Sequence, residues 1–400
     1  MSANEAVPEY PVGDTSRLCL DPWYRTAREA APVARVRMPY GGEAWLALRY
    51  SAVRLAQSDP RFSRSATADA GANAPRMVPG LPPAGSVLTM DPPEHTRVRR
   101  FVAKAFTARR IERLRPKLQQ IVNGLLDELT AQGAPADLKR FVAEPLPVMV
   151  ICEVLGVPPG DRDDFREMAE TIRSIVYTQD ESQEAMNRFL GYLSSLVAAR
   201  REKPGGDLLS ALATVVDNGD RLSERELASL GVALVAGGHE TVLNQVTNFA
   251  YTLLTNPVEL AKLRARPDLI NHAIEELLRH VPVHSGPAFG TVAKEDVRFG
   301  DITVRAGETV IADIAAANHD PRMFGDPDML NLDRRDIPHL TFGFGPHHCI
   351  GAQLARMELQ VTIGTLVRRF PRLRLAVPAE EIEWREGVLI RGVEALPVAW

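Results

Sequence analysis

Ile111, Leu114, Leu118, Ile121, Leu125 and Leu129 recur at three- and four-residue intervals through RRIERLRPKLQQIVNGLLDELTA, which predicts a helix over 109–131 with one apolar face. The same period returns at 185–202, 223–255, 257–265, 268–280 and 350–370. Pro257 and Pro267 fall in first turns, where a missing N–H costs little. Strand signals are few: AWLALRY (44–50), DVRFGDITV (296–304), TVIADIA (309–315) and the tail segments VLIRG and ALPVAW. This pattern predicts a mainly α protein with a small β portion (α+β), built as a single domain over 1–400 with a minor β-rich region. No internal repeat or linker divides it. The segment SATADAGANAPRMVPGLPPAG, 65–85, carries neither period and reads as a loop over a ligand site or as a plain surface excursion.

Composition narrows the function. With 47 Lys and Arg against 51 Asp and Glu, the net charge of −4 argues against a dedicated nucleic-acid binder. The start, MSANEAVPEYP, has no basic-then-apolar leader, and no stretch reaches the roughly 18 apolar residues of a membrane span. A cytoplasmic protein with no membrane partner is expected. Cys19, Cys152 and Cys349 are odd in number and far apart, so no disulfide framework is expected. Cys152, in MVICEVLG, reads as a small buried hydrophobe.

Cys349 lies in FGFGPHHCIG, behind His347 and His348. A structural zinc wants four ligands at separated spacings, which three adjacent residues do not provide, and no second Cys/His cluster follows. A nucleophilic cysteine wants a base and an oxyanion site that nothing in the sequence places. A flat ligand fits the loop better. Gly343 and Gly345 allow close backbone approach, Pro346 stiffens the turn, and Gly351 keeps the sulfur uncrowded. Helical residues follow Cys349 at once, and a helix N-terminus favours a thiolate of the kind that suits an iron porphyrin.

The loop is similar to the signature Phe-x-x-Gly-x-His/Arg-x-Cys-x-Gly of the cytochrome P-450 family, at Phe342, Gly345, His347, Cys349 and Gly351. Three further segments extend the resemblance. Glu276-Leu-Leu-Arg279 matches the family's Glu-x-x-Arg, whose spacing lets an ion pair form on one helical face. The resemblance implies a buried pair completed by Arg334. In LGVALVAGGHETVLNQV, Ala233, Ala236, Gly237, Glu240 and Thr241 share a helical face, and each glycine weakens the helix by roughly 1 kcal/mol. The match is to the family's oxygen-activation motif, which implies proton delivery by Glu240 and Thr241, with Val242 where many relatives have a second threonine and His239 in a structural place. In MDPPEHTRVRRFV, Pro92 and Pro93 open a helix that sets His95 and Arg99 one turn apart. The resemblance implies that both meet haem propionates, as does His347, while His348 faces solvent or a redox partner. One departure stands out: TVAKEDV places Thr291 where the family often has a propionate-binding arginine. The matches keep family order from SDPRFS at about residue 58, through ANHDPRMFGDPD, to RGVEALPVAW.

The resemblance implies haem b (iron protoporphyrin IX) with Cys349 as its axial thiolate, in a pocket bordered by Ala236, Gly237, Phe342, Gly343 and Gly351. It implies a monooxygenase that uses O2 to hydroxylate or epoxidise a medium-to-large hydrophobic natural product, such as a macrolide or other polyketide. The alternatives are an oxidase doing ring coupling or desaturation, and a haem-thiolate protein that only binds; Glu240 and Thr241 speak against the latter, since binding needs no proton relay. Substrate contacts are expected from 65–88, from 170–180 with Tyr177, from Ala233 and Ala236, from VHSGPAF with His284, Pro287, Ala288 and Phe289, and from VLI with Leu389. No reductase sequence follows the haem segment, so electrons are expected from a separate ferredoxin and ferredoxin reductase. The run Arg97, Arg99, Arg100, Lys104, Arg109, Arg110, Arg113, Arg115, Lys117 holds one acid, Glu112, and reads as a basic docking patch or a solvated charged face.

Overall fold

Pro116 divides what the apolar period predicts as one helix. Proline lacks the amide a helix interior needs and crowds the preceding turn, so it is tolerated only at a helix start. The computed structural model, which describes residues 7–81, 85–173, 179–217 and 219–400, has helices at Ala108–Glu112 and Arg115–Gln132, with Pro116 in the first turn of the second. Elsewhere the periodic segments form helices close to their predicted bounds: Gln179–Glu202, Glu224–Thr255, Pro257–Ala265, Ile270–His280 and Ala352–Arg369. The fold is mainly helical, with a small β portion.

Strands are shorter than their apolar runs, and capping explains why. The first run ends as strand Glu43–Ala47, and helix Tyr50–Ser58 begins where Asp320 accepts the Tyr50 amide at 3.0 Å. The run at 309–315 gives strand Thr309–Ala312. Asp313 then accepts the Ala316 amide at 2.9 Å and starts helix Ile314–Asn318. DVRFGDITV folds into a hairpin, Val297–Phe299 with Ile302–Val304, turning at Gly300 with φ +63°. Of VLIRG, Ile390 makes a single bridge to His284. The segment read as irregular contains helix Ser65–Ala70 and a short turn of 3-10 helix at Gly71–Asn73. The Ser63 hydroxyl accepts the Ala66 amide at 2.9 Å near that helix's start, a signal too short for periodicity to detect.

The chain forms two compact units. The first comprises residues 1–91, 247–349 and 373–396. Its five-stranded sheet runs in the order Val33–Arg37, Glu43–Ala47, Thr309–Ala312, Thr291–Ala293, Phe62–Ser63. The second and third of these pair in parallel, with Trp45 opposite Val310; the other pairs are antiparallel. Both faces are covered, one by Val33, Val53, Phe62, Val297 and Val310, the other by Tyr24, Val36, Leu46, Leu48 and Ile311. The second unit comprises residues 92–246, 350–372 and 397–400. Within it, helices Arg115–Gln132 and Ala352–Arg369 lie side by side: the Gln119 amide donates to the Thr365 hydroxyl at 2.9 Å, and Arg369 pairs with Asp127 at 2.7 Å. Leu118, Ile121, Val122, Leu125, Leu126 and Leu129 are buried there. Among the described residues, no helix is long and apolar enough to cross a membrane.

Candidate functional site

The cysteine loop belongs to the first unit and is shaped by two left-handed glycines. Gly343 and Gly345 both have φ +72°, a region that side chains rarely adopt. The loop also sits hard against helix Tyr50–Ser58: a Cβ on Gly345 would lie 2.7 Å from the Gln57 carbonyl oxygen. Arg54 of the same helix stacks over Phe344 at 4.2 Å. The Cys349 amide donates to the Phe342 carbonyl at 2.8 Å and closes the loop, leaving the Cys349 side chain exposed. Helix Ala352–Arg369 starts three residues later with Gly351 as its cap. His348 is exposed and His347 half-buried. Among the described residues, no three His, Cys, Asp or Glu side chains gather as a metal cluster.

Behind this loop stands a buried charge network in the same unit. Arg279 donates from Nε and Nη2 to the two carboxylate oxygens of Glu276 at 2.7 and 2.8 Å. Arg334 adds Nε contacts of 3.1 Å to both oxygens and ties its own fork to the Gly325 and Asp326 carbonyls. The Asn331 amide completes the carboxylate's shell at 3.1 Å. The remaining Arg279 donors hold the Asn318, Pro327 and Met329 carbonyls, so one carboxylate organises the segment that leads into the cysteine loop. His280 and His319 pack beside it. Burial draws their imidazoles down to about 4 and about 3, so both are neutral at physiological pH.

A cavity of about 260 Å³ opens within the first unit. Four of the expected substrate residues, Pro287, Ala288, Phe289 and Leu389, line it, together with His284. Thr291 lines it too, with its hydroxyl oxygen buried and without a hydrogen-bond partner among the described residues. The cation on this cavity's wall that sequence reasoning missed is Arg64. Its guanidinium lies 5.7 Å from the Phe289 ring centre and donates to the Leu88 carbonyl at 3.2 Å. Desolvation draws it down to about 10, with Asp91 opposing the shift, which still leaves it charged at neutral pH. Gln57 also lines the cavity, with its side-chain oxygen buried and unpartnered among the described residues. Neither Arg64 nor Gln57 carries a sequence signal, because the cavity that gives them meaning is assembled from strands and loops far apart in the chain.

The second unit carries the other predicted residues. His95 and Arg99 lie one turn apart on helix Glu94–Ala105, and His95 is almost completely buried. Ala236 and Gly237 are exposed in the middle of the 32-residue helix Glu224–Thr255, an unusual place for small apolar residues to face outward. Ala233, Glu240 and Thr241 are half-buried alongside, and the Thr241 hydroxyl donates to the Gly237 carbonyl at 2.7 Å. His239 is buried. Tyr177 lies outside the described residues.

The basic run finds acidic partners that its own stretch of sequence does not show. Arg97 pairs with Asp220 and Glu226, Arg100 and Lys104 with Asp217, Arg115 with Glu112, and Lys117 with Glu153. Acids distant in sequence thus pair with four of the nine cations, Arg97, Arg100, Lys104 and Lys117, and the exposed cations that remain without a described carboxylate partner are Arg109 on the short helix Ala108–Glu112 and Arg113 just after it.

These features fit a haem. A glycine loop with no room for a Cβ at Gly345 presents one exposed thiol. At Gly351 and at Gly237 a Cβ would meet nothing within 4 Å, so each position by itself has open space beside it. A mainly helical fold, a small sheet and a cysteine presented on such a loop fit the haem-thiolate class. Comparison with known proteins agrees. The family model described as Cytochrome P450 matches residues 178–382. The chain is 49% identical to nocardicin C N-oxygenase of Nocardia uniformis subsp. tsuyamanensis over 392 residues, 98% of each chain. It is 46% identical to mycinamicin IV hydroxylase/epoxidase of Micromonospora griseorubida, again over 98% of each. Among solved structures, the LnmA cytochrome P450 hydroxylase from the leinamycin pathway of Streptomyces atroolivaceus superimposes with a TM-score of 0.92 at 48% identity, covering 98% of this chain and 100% of that one. The chain belongs to the cytochrome P450 family. It is an oxidoreductase of the monooxygenase type that uses haem b.

Proposed function

We propose that this P450 hydroxylates or epoxidises a medium-to-large hydrophobic natural product of the macrolide or other polyketide kind. Electrons come from a separate ferredoxin and ferredoxin reductase, and the enzyme works in the cytoplasm. The observation that carries the substrate class is the cavity wall: Leu88, Val281, Val283, Ala288, Phe289 and Leu389 form an apolar surface. The relatives named for nocardicin C and mycinamicin IV support a natural-product substrate.

In this reading Cys349 would ligate the haem iron, and Phe342, Gly343, Gly351, Ala236 and Gly237 would help hold the porphyrin. His95, Arg99 and His347 would pair with its propionates. Bound haem supplies dioxygen activation and insertion of one oxygen atom into a C–H bond or an alkene. The protein's own chemistry is proton delivery. Thr241, anchored by its donation to Gly237, keeps its oxygen lone pairs available to a donor water, and Glu240 beside it supplies protons from the solvent side. Ala233 and Ala236, with Pro287, Ala288, Phe289 and Leu389, contact the substrate. The Glu276–Arg279–Arg334 network is structural. Arg109 and Arg113 are the cations most available to an acidic redox partner, so the rate of reduction by ferredoxin falls as salt rises.

The test is a screen of macrolides and other polyketides for displacement of the iron-bound water, read as a shift of the Soret band. Binding by members of this class, followed by product carrying one added oxygen, supports the proposal. Tight binding confined to small polar compounds contradicts it.

A further inference from the structure

Arg64 and Thr291 put two hydrogen-bond donors without an acidic partner on the wall of one otherwise apolar cavity. Asp91 lies next to Arg64 but is already committed. Its oxygens accept from the Ser63 and Ser65 hydroxyls at 2.5 and 2.8 Å and from the Arg64 backbone amide at 2.9 Å. Among the described residues no carboxylate pairs with the Arg64 guanidinium, whose recorded side-chain bond is to one carbonyl. The other charged groups on the wall are spent on neighbours: Arg279 on Glu276, and Asp313 on the Tyr10 hydroxyl at 3.0 Å and the Ala316 amide. A half-buried guanidinium in apolar surroundings is costly unless a ligand completes its fork. A buried hydroxyl without a partner carries a similar penalty. The cavity's volume suits one end of a ligand rather than a whole macrocycle.

We propose that this cavity binds a carboxylate, gripped by the Arg64 guanidinium and the Thr291 hydroxyl. The carboxylate belongs either to a haem propionate or to an acidic group on the substrate. The inference rests on the P450 reading above. It makes Arg64 a cation beside Thr291, the position that lacks the arginine common in the family, and it extends the substrate class, in the second case, to acids.

The experiment uses the holoenzyme and the variants Arg64→Gln, Arg64→Lys and Thr291→Val. Carbon monoxide spectra of each variant come first; a retained thiolate Soret shift shows that the haem-thiolate site is intact, so a failure of this inference is separable from a failure of the family reading. One arm measures the propionate bending bands by resonance Raman, and haem transfer to apomyoglobin. The other titrates dodecanoate and methyl dodecanoate by the Soret shift. Losing a charged hydrogen bond corresponds to roughly a tenfold effect or more. Shifted propionate bands with about tenfold faster haem transfer in Arg64→Gln, partly restored in Arg64→Lys, assign the carboxylate to haem. A roughly tenfold loss of dodecanoate affinity with the ester unaffected assigns it to the substrate. Unchanged bands, transfer rates and acid-over-ester preference in Arg64→Gln and Thr291→Val overturn the proposal. So does faster haem transfer with unmoved propionate bands and no change in acid preference, which marks a merely structural arginine.

Discussion

Arg279 grips Glu276 through two hydrogen bonds of 2.7 and 2.8 Å, with both side chains wholly out of solvent. The pair is one turn of helix long, yet its outer bonds reach carbonyls 39 to 50 residues onward in the chain. Removing either partner strands a charge in the interior. Glu276→Ala and Arg279→Ala are each expected to cost about 3–5 kcal/mol. Breaking the exposed Arg25–Asp328 pair should cost at most about 1 kcal/mol. Thermal midpoints and soluble yields of the three variants check this, and equal midpoints contradict it.

Acid should destabilise the fold earlier than its carboxylates alone would. His280 and His319 are held neutral by burial, at about 4 and about 3 against an ordinary 6.5. Below 6.5 the unfolded chain takes up protons that the folded chain refuses, so stability declines as pH falls. Carboxylates held below their ordinary values, such as Asp333 at about 2 through bonds from Lys262 and Arg266, lose their contribution only below about pH 4. The loss between about pH 6.5 and pH 5 therefore belongs to the histidines. Urea midpoints across that window should fall in the wild type and fall less in His280→Gln. A flat wild-type profile contradicts the assignment.

What was legible in the sequence was local. The cysteine loop, the Glu276–Arg279 spacing and the face carrying Ala236, Gly237 and Thr241 each lie within a few turns of chain, where spacing reports geometry. The helix break at Pro116 was missed because apolar periodicity continues across it; the proline's steric demand outweighed the pattern. The partners of the basic run were illegible for a different reason. Arg97 finds Asp220 and Glu226 from 123 and 129 residues away, and no local count of charge foresees that. Arg64 and Thr291 share a wall because the strands ending at Ser63 and starting at Thr291 pair in the sheet, and that register is a property of the folded chain.

Gly345 should be nearly irreplaceable. Alanine there pays about 1–2 kcal/mol for the left-handed backbone and also meets the Gln57 carbonyl at 2.7 Å. Gly345→Ala is expected to lower both the thermal midpoint and the haem-to-protein ratio. Gly160→Ala, where a Cβ meets nothing within 4 Å and no positive φ is involved, is the neutral control. Full haem loading in Gly345→Ala contradicts this reading of the loop.

Thr241 should govern coupling rather than binding. Thr241→Ala removes the hydroxyl fixed on the Gly237 carbonyl, so reductant should drain to peroxide by a factor of roughly 10 or more over product. Thr241→Ser should restore much of the coupling. Substrate affinity, read from the Soret shift, should move little. Unchanged peroxide yield in Thr241→Ala contradicts the proton role.

The central claim is that Cys349 holds the haem iron, and the carbon monoxide difference spectrum of the reduced protein tests it most directly. The wild type should show the red-shifted Soret band of a thiolate ligand, and Cys349→Ser should lose it while Cys19→Ser and Cys152→Ser keep it. A Cys349→Ser protein with the wild-type spectrum would contradict the account.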